Sequence, residues 1–258
     1  MLRLYGRYFL LHWRCALVYK SSFFLMIFGQ FLTSFTAIFG IYFLFDRFHT
    51  VEGFTLPQVL LCSGTVLLSA SLAELVGRGF DGFERMLGNG GFDRVLLRPR
   101  SALFQVLAAQ MEFSRLGRLL QALLVFAYAL PASGVRWTWP KAAALLLMTA
   151  GGTALFFSLL LLHAALCFFT TDALEVMNIL TYGGQEFGRY PAVIYGRPLL
   201  FFFTFLVPLA CVQYYPLLYL LDRAPWPVLL TPLAAVLFLL PCWRIWRFGV
   251  SRYRSTGS

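Results

Sequence analysis

Six stretches of this chain run for 17 to 30 residues without a charged side chain, and they restrict the fold more than any other feature. They are residues 21–45, 53–73, 119–135, 142–171, 198–221 and 224–243. A helix rising 1.5 Å per residue needs roughly 17–25 apolar residues to cross a hydrocarbon core. Helices alone satisfy their own backbone hydrogen bonds over such lengths in lipid. Charged residues make up 12% of the chain, about half the usual share of a soluble domain. The expectation is an all-α polytopic membrane protein with six transmembrane helices, residues 1–258 forming a single domain.

The formal net charge of +10 raises the question of nucleic acid, but the charge is distributed by side of the membrane. With six spans, alternate loops collect 17 of the 21 basic residues on one side, leaving Arg47, Arg136, Lys141 and Arg223 on the other. That asymmetry puts both termini in the cytoplasm and argues against a nucleic-acid partner. Five scattered cysteines show no Cys-x-x-Cys spacing, so metal or redox chemistry is not expected.

Residues 1–20 place Arg3, Arg7 and Arg14 on one arc of a helix, with Tyr5, Phe9 and Trp13 opposite. This reads as an interfacial helix with its aromatic face in the headgroup layer, or as a basic flank that sets topology. Residues 77–101 form a charged cytoplasmic segment. Its "GRGFDG" matches a dinucleotide-binding pattern by chance, because no strand precedes it. Two short helices, 80–87 and 92–97, flank the glycine break "GNGG". In the second, Phe92, Val95 and Leu96 make an apolar face with Arg94 and Arg98 opposite. Pro99 ends the element, and Ser101 is placed to cap the next helix. A solvated arginine-rich loop explains the charge but not this ordered break, face and stop.

Residues 171–197 contain Asp172, Glu175, Glu186, Arg189 and Arg197 and read as a cytoplasmic loop with helical extensions. The run 198–221 is interrupted by Pro208 and Pro216, which suggests a span followed by a short outer re-entrant piece. His163 lies within the fourth span, either on a pathway or as a neutral histidine bonded to a neighbouring helix. Glu74, Glu112 and Glu175, near cytoplasmic helix ends, face water or pair with arginines. No constellation of side chains looks catalytic, and no phosphate-binding G-x-x-x-x-G-K-[ST] loop exists.

"GGFDRVLLRPRS" (90–101), "EFGRYPAVIYG" (186–196) and "FLVPLACVQYYPLLYLL" (205–221) resemble motifs of bacterial ABC-2 type permeases, specifically the six-helix ABC-2 membrane subfamily. The resemblance implies a type V exporter-like architecture in the bacterial cytoplasmic membrane. Residues 1–20 would be an elbow helix, and 213–223 an outer re-entrant turn. Phe92, Asp93, Arg94, Val95, Leu96, Leu97, Arg98 and Pro99 would form a coupling helix docked on a separate cytoplasmic ABC ATPase dimer. That partner would bind ATP and Mg, leaving this chain without a cofactor. The resemblance further implies a second permease chain, identical or homologous, and export of an amphipathic, drug-like or lipid-like substrate. His163, Gln213, Tyr214 and Tyr215 are the candidate pathway residues. A membrane-embedded lipid-modifying enzyme is the alternative; an ion-coupled transporter would want inverted repeats and buried carboxylates.

Overall fold

Helix α1 (Leu2–Ala16) turns into the first long helix, α2 (Lys20–Phe48), at Tyr19, which leaves helical geometry with φ −107° and ψ 73°. The computed structural model describes residues 2–170 and 173–254. Met1, at the head of the expected elbow, Thr171 and Asp172, at the start of the expected loop, and residues 255–258 lie outside the described residues. The bend brings Trp13 within 5.6 Å of Phe23, although ten residues of straight helix would separate them by about 15 Å along the axis. Tyr5, Phe9 and Trp13 then pack on Phe104 and Phe113, and the Tyr5 hydroxyl donates to the Val76 carbonyl. The aromatic face of α1, expected to meet headgroups, is therefore directed at the protein, while Arg3, Arg7 and Arg14 remain exposed.

A two-residue hairpin, β1 (Thr50–Val51) with β2 (Phe54–Thr55), follows α2. Its turn residues Glu52 and Gly53 both have positive φ, the twist a tight antiparallel hairpin requires. Helix α3 (Leu56–Asp81) starts with Pro57 in its first turn, and the Gln58 side chain accepts the Thr55 N–H at 3.2 Å, the returning half of a capping box. α3 is the central post of the bundle, with buried residues on most of its circumference. Three short helices follow, α4 (Phe83–Gly88), α5 (Gly91–Leu96) and α6 (Ala102–Leu107), and then the long helices α7 (Leu116–Ala132) and α8 (Trp139–Leu166).

Residues 173–188 are helical throughout: α9 (Ala173–Asn178), a π-helical turn at Ile179–Gly183, and α10 (Gly184–Gly188). The expected helical extensions are present, but the segment packs on the bundle where a cytoplasmic loop was expected. The Gln185 side chain bonds to Glu74 on α3, Cys62 Sγ donates to the Gly188 carbonyl, and Tyr190 and Val193 pack with Val59 and Leu217. The segment thus climbs alongside α3. Its polar residues are tolerated because several face the bundle interior, where partners await them. Helices α11 (Arg197–Phe205) and α12 (Leu209–Leu220) follow, bent by 108°.

That break falls at Leu206–Pro208, and α12 continues unbroken through Gln213 and Pro216 to Leu220. The expected re-entrant turn at 213–223 is therefore mostly helix, with the chain reversing only after Leu220. A final helix, α13 (Leu233–Arg252), completes the chain. Among the described residues five helices are long and apolar enough to cross a membrane, or six if the bent pair counts as one span. The bent pair α11–α12 is thus either a broken span or a re-entrant loop, not one straight rod.

The buried core stacks in three tiers. One end gathers Ile41, Phe45, Val59, Phe126 and Leu217, and is tied by Lys141–Asp222 at 2.8 Å and by Arg223 donating to the Gly53 carbonyl at 2.7 Å. A middle tier holds Val66, Leu155, Leu159, Phe187 and Leu209. The arginine-rich end is built on Phe80, Phe83, Phe92, Leu161 and Trp246.

Candidate functional site

At the arginine-rich end, α4 and α5 form a small knob beyond α3. The break between them requires Gly90, whose φ of 62° is costly for a residue with a Cβ. The knob is followed by α6, which packs closely on α3: a Cβ at Gly79, near the end of α3, would collide with the Val106 carbonyl of α6. The knob's own fastening is aromatic. Phe92 meets Phe83 at 5.2 Å, Phe168 at 5.4 Å, Trp246 at 6.5 Å and Tyr253 at 5.0 Å, all edge-on. Such pairs contribute about 0.5–1.5 kcal/mol each beyond burial. One ring therefore joins the knob to the chain just after α8 and to both the end of α13 and the residue that follows it. Asp93 lies beside Tyr253, and burial together with this carboxylate raises the phenol above its ordinary pKa.

This geometry corrects the expected docking face. Phe92 is fully buried and Val95 nearly so, inside the protein's own core, so neither is available to a partner. The sequence identified the apolar side of the helix correctly but not what covers it. Leu96 and Leu97 do remain accessible, Leu97 at 84%, and so do Arg94, Arg98 and Pro99. Arg85, Arg94 and Arg98 surround a cavity of about 390 Å³ floored by Gly82 and Gly91. Ser101 occupies the N-cap position of α6, but its side chain makes no capping bond, contrary to expectation.

A second feature lies inside the bundle. Arg78 pairs with Asp81 and Glu112, Arg115 with Glu112 and Glu74, and Arg118 with Glu74. Three arginines thus meet three carboxylates in one neutral ladder. The Gln185 amide joins it, donating to Glu74 Oε1 at 2.8 Å and accepting from Arg118. Glu74, Arg115, Arg118 and Gln185 are all buried. Unpaired, each charge would be costly in such surroundings; together they neutralise one another. Above the ladder, Ser34, Ser63, Arg118, Gln185 and Arg189 line a cavity of about 20 Å³, room for one water molecule. The sequence left Glu74, Glu112 and Glu175 facing water or paired with arginines; the first two pair and Glu175 is exposed, while Gln185 was missed. The one available signal was the i,i+3 spacing of Arg115 and Arg118, which puts both on one face of a helix.

The expected pathway residues do not converge. His163 is buried among the tier that contains Leu160, Leu161 and Ala164. Gln213 is fully buried in α12, and its amide nitrogen donates to the Gly188 and Tyr190 carbonyls at 3.1 and 3.3 Å; it pegs α12 to the end of α10. Tyr214 packs against the core, and the Tyr215 hydroxyl shares a hydrogen bond with Thr204 at 3.3 Å. Among the described residues, no group of three or more His, Cys, Asp or Glu side chains is placed to hold a metal ion.

A family model described as "ABC-2 family transporter protein" matches residues 31–257. No curated protein and no solved structure matches significantly.

Proposed function

We propose that this chain, which belongs to the ABC-2 transporter family and is thereby a membrane permease component of an ABC transporter, is the transmembrane subunit of an exporter driven by a separate cytoplasmic ATPase dimer. The observation that carries this reading is the knob. Its buried ring, Phe92, binds it to the ends of the bundle's helices, while Arg94, Leu96, Leu97 and Arg98 stay exposed at its surface. An element held rigidly on one side and open on the other suits a partner that pushes. Closure of the ATPase dimer on ATP and Mg, both held by the partner, would displace the knob. α3, α8 and α13 would follow as one body.

Two permease chains would enclose the path, since the cavity above the ion-pair ladder, inside one chain, has room for a single water. An apolar groove of about 630 Å³ between the π-helical turn and α11, with Phe187, Phe202 and Phe203 on its walls and Glu186 at its rim, supports an amphipathic cargo. The basic asymmetry of the sequence supports both termini in the cytoplasm of a bacterial cell, with residues 1–20 as the elbow.

The test is co-purification with candidate ATPases from the same cells, followed by ATP turnover with and without this chain. Turnover that depends on the chain supports the proposal; a partner ATPase indifferent to it refutes it.

A further inference from the structure

Helix α13 shows what surrounds it along its length. Leu233, Val236, Leu237, Leu240 and Trp243 are exposed and recur at helical spacing, so they form one stripe that none of the described residues covers. Arg247 and Ser251 continue the same face. The charge-free run 224–243 ends at Trp243, and the Arg247 guanidinium stacks on the Trp243 ring at 4.9 Å. Aromatic and cationic residues in this order mark the boundary between hydrocarbon and headgroups. At that depth the stripe opens into a groove of about 450 Å³ between α13 and the start of α6. Trp246, Val250 and Leu103 line its interior, and Arg247, Ser101 and Ser251 carry its polar groups. The Ser101 hydroxyl is not engaged in capping α6. Among the described residues Arg247 has no carboxylate partner.

We propose that this groove binds an anionic phospholipid from the leaflet at the arginine-rich end. Its phosphate lies against Arg247 with the Ser101 hydroxyl as a further donor, and an acyl chain runs up the α13 stripe; the Ser251 hydroxyl already donates to the Phe248 carbonyl at 2.8 Å. A lipid is the occupant because the stripe is continuous with the bilayer, and an anionic one because the polar end offers a guanidinium and the Ser101 hydroxyl but no carboxylate. The site bridges α13 and the start of α6 just past the knob, so the lipid would brace the junction through which the knob moves. This holds whether or not an ATPase docks there.

The test uses the full chain in vesicles of phosphatidylcholine and phosphatidylglycerol, with dibrominated acyl chains on one lipid at a time. The reading is the quenching of Trp243, taken as the difference between the wild-type chain and Trp243→Phe. One basic residue near an anionic surface adds about 1 kcal/mol, or about fivefold in affinity. At equal low mole fraction, brominated phosphatidylglycerol is expected to be enriched about fivefold over brominated phosphatidylcholine. The preference should vanish in Arg247→Gln and persist in Arg247→Lys, and because Arg247 is exposed both variants should fold. Equal quenching by the two lipids overturns the proposal, as does a preference that survives Arg247→Gln. Absence of quenching by either would mean that protein covers the groove. Displacement by free glycerol phosphate would make this a site for soluble anions, and either result rejects the lipid.

Discussion

Replacing Glu74 by glutamine removes the negative charge on which the interior ladder converges. Glu74 Oε2 lies 2.8 Å from Arg115 Nε and 3.0 Å from Arg118 Nη1, and Oε1 accepts from Gln185 at 2.8 Å. The carboxylate is buried and its two arginine side chains are no more than 11% exposed, so bulk water cannot take its place. Removing one partner of a buried pair typically costs about 3–5 kcal/mol, because the remaining charge is stranded. Here two arginines lose Glu74, although Arg115 keeps Glu112 at 3.6 Å, which places the loss near the middle of that range. For a chain of this size it lowers the unfolding temperature by on the order of 10 °C.

Glu186→Gln is the internal control. Its carboxylate is 61% exposed and pairs with Arg189 on the same helical stretch, so its loss costs about 0–1 kcal/mol. Thermal unfolding in mild detergent, followed by tryptophan fluorescence, compares the two. Equal shifts, or a Glu74→Gln protein that melts with the wild type, would refute the reasoning. A triple change of Glu74→Leu, Arg115→Met and Arg118→Met should recover much of the loss, since a buried ion network can often be replaced by apolar packing at little net cost.

Phe92→Ala should destabilise the chain itself by about 3–5 kcal/mol, as loss of a fully buried ring does, visible as a lower unfolding temperature with no ATPase present. Gly90→Val forces a β-branched residue to φ 62° at a cost of about 1–3 kcal/mol, and limited proteolysis should then cut at the knob first. With exposed Cys15 replaced, single cysteines at Thr50 and Trp137 should label from outside intact cells, and one at Asn89 only after permeabilisation; external labelling at Asn89 would invert the topology.

Five spans and the knob were legible in the sequence because charge-free length and a glycine–proline frame are local properties. What covered each face was not. Phe92 and Val95 were recognised as an apolar face, yet periodicity cannot distinguish a face turned to a partner from one turned to Phe168 and Trp246. The segment 173–188 looked too polar for the bundle because Gln185 and Arg189 find their surroundings through tertiary structure, from Glu74, Arg118 and Ser63. The prolines show the same limit. Pro208 precedes the first turn of a new helix and marks a break, whereas Pro216 and Pro241 sit inside helices that continue past them; neighbouring helices and local adjustment can absorb a missing N–H within a bundle.

The coupling proposal rests on the exposed side of the knob, and two changes there separate docking from folding. Leu97→Asp and Arg94→Glu alter exposed side chains, so both proteins should unfold at the wild-type temperature. At matched membrane levels each should lose permease-dependent ATP turnover, because a buried interface anchor typically contributes about 2 kcal/mol or more and reversing a charge opposes the partner's complementary surface. Wild-type turnover in both variants, with the ATPase still bound, would contradict the assignment of this knob as the coupling element.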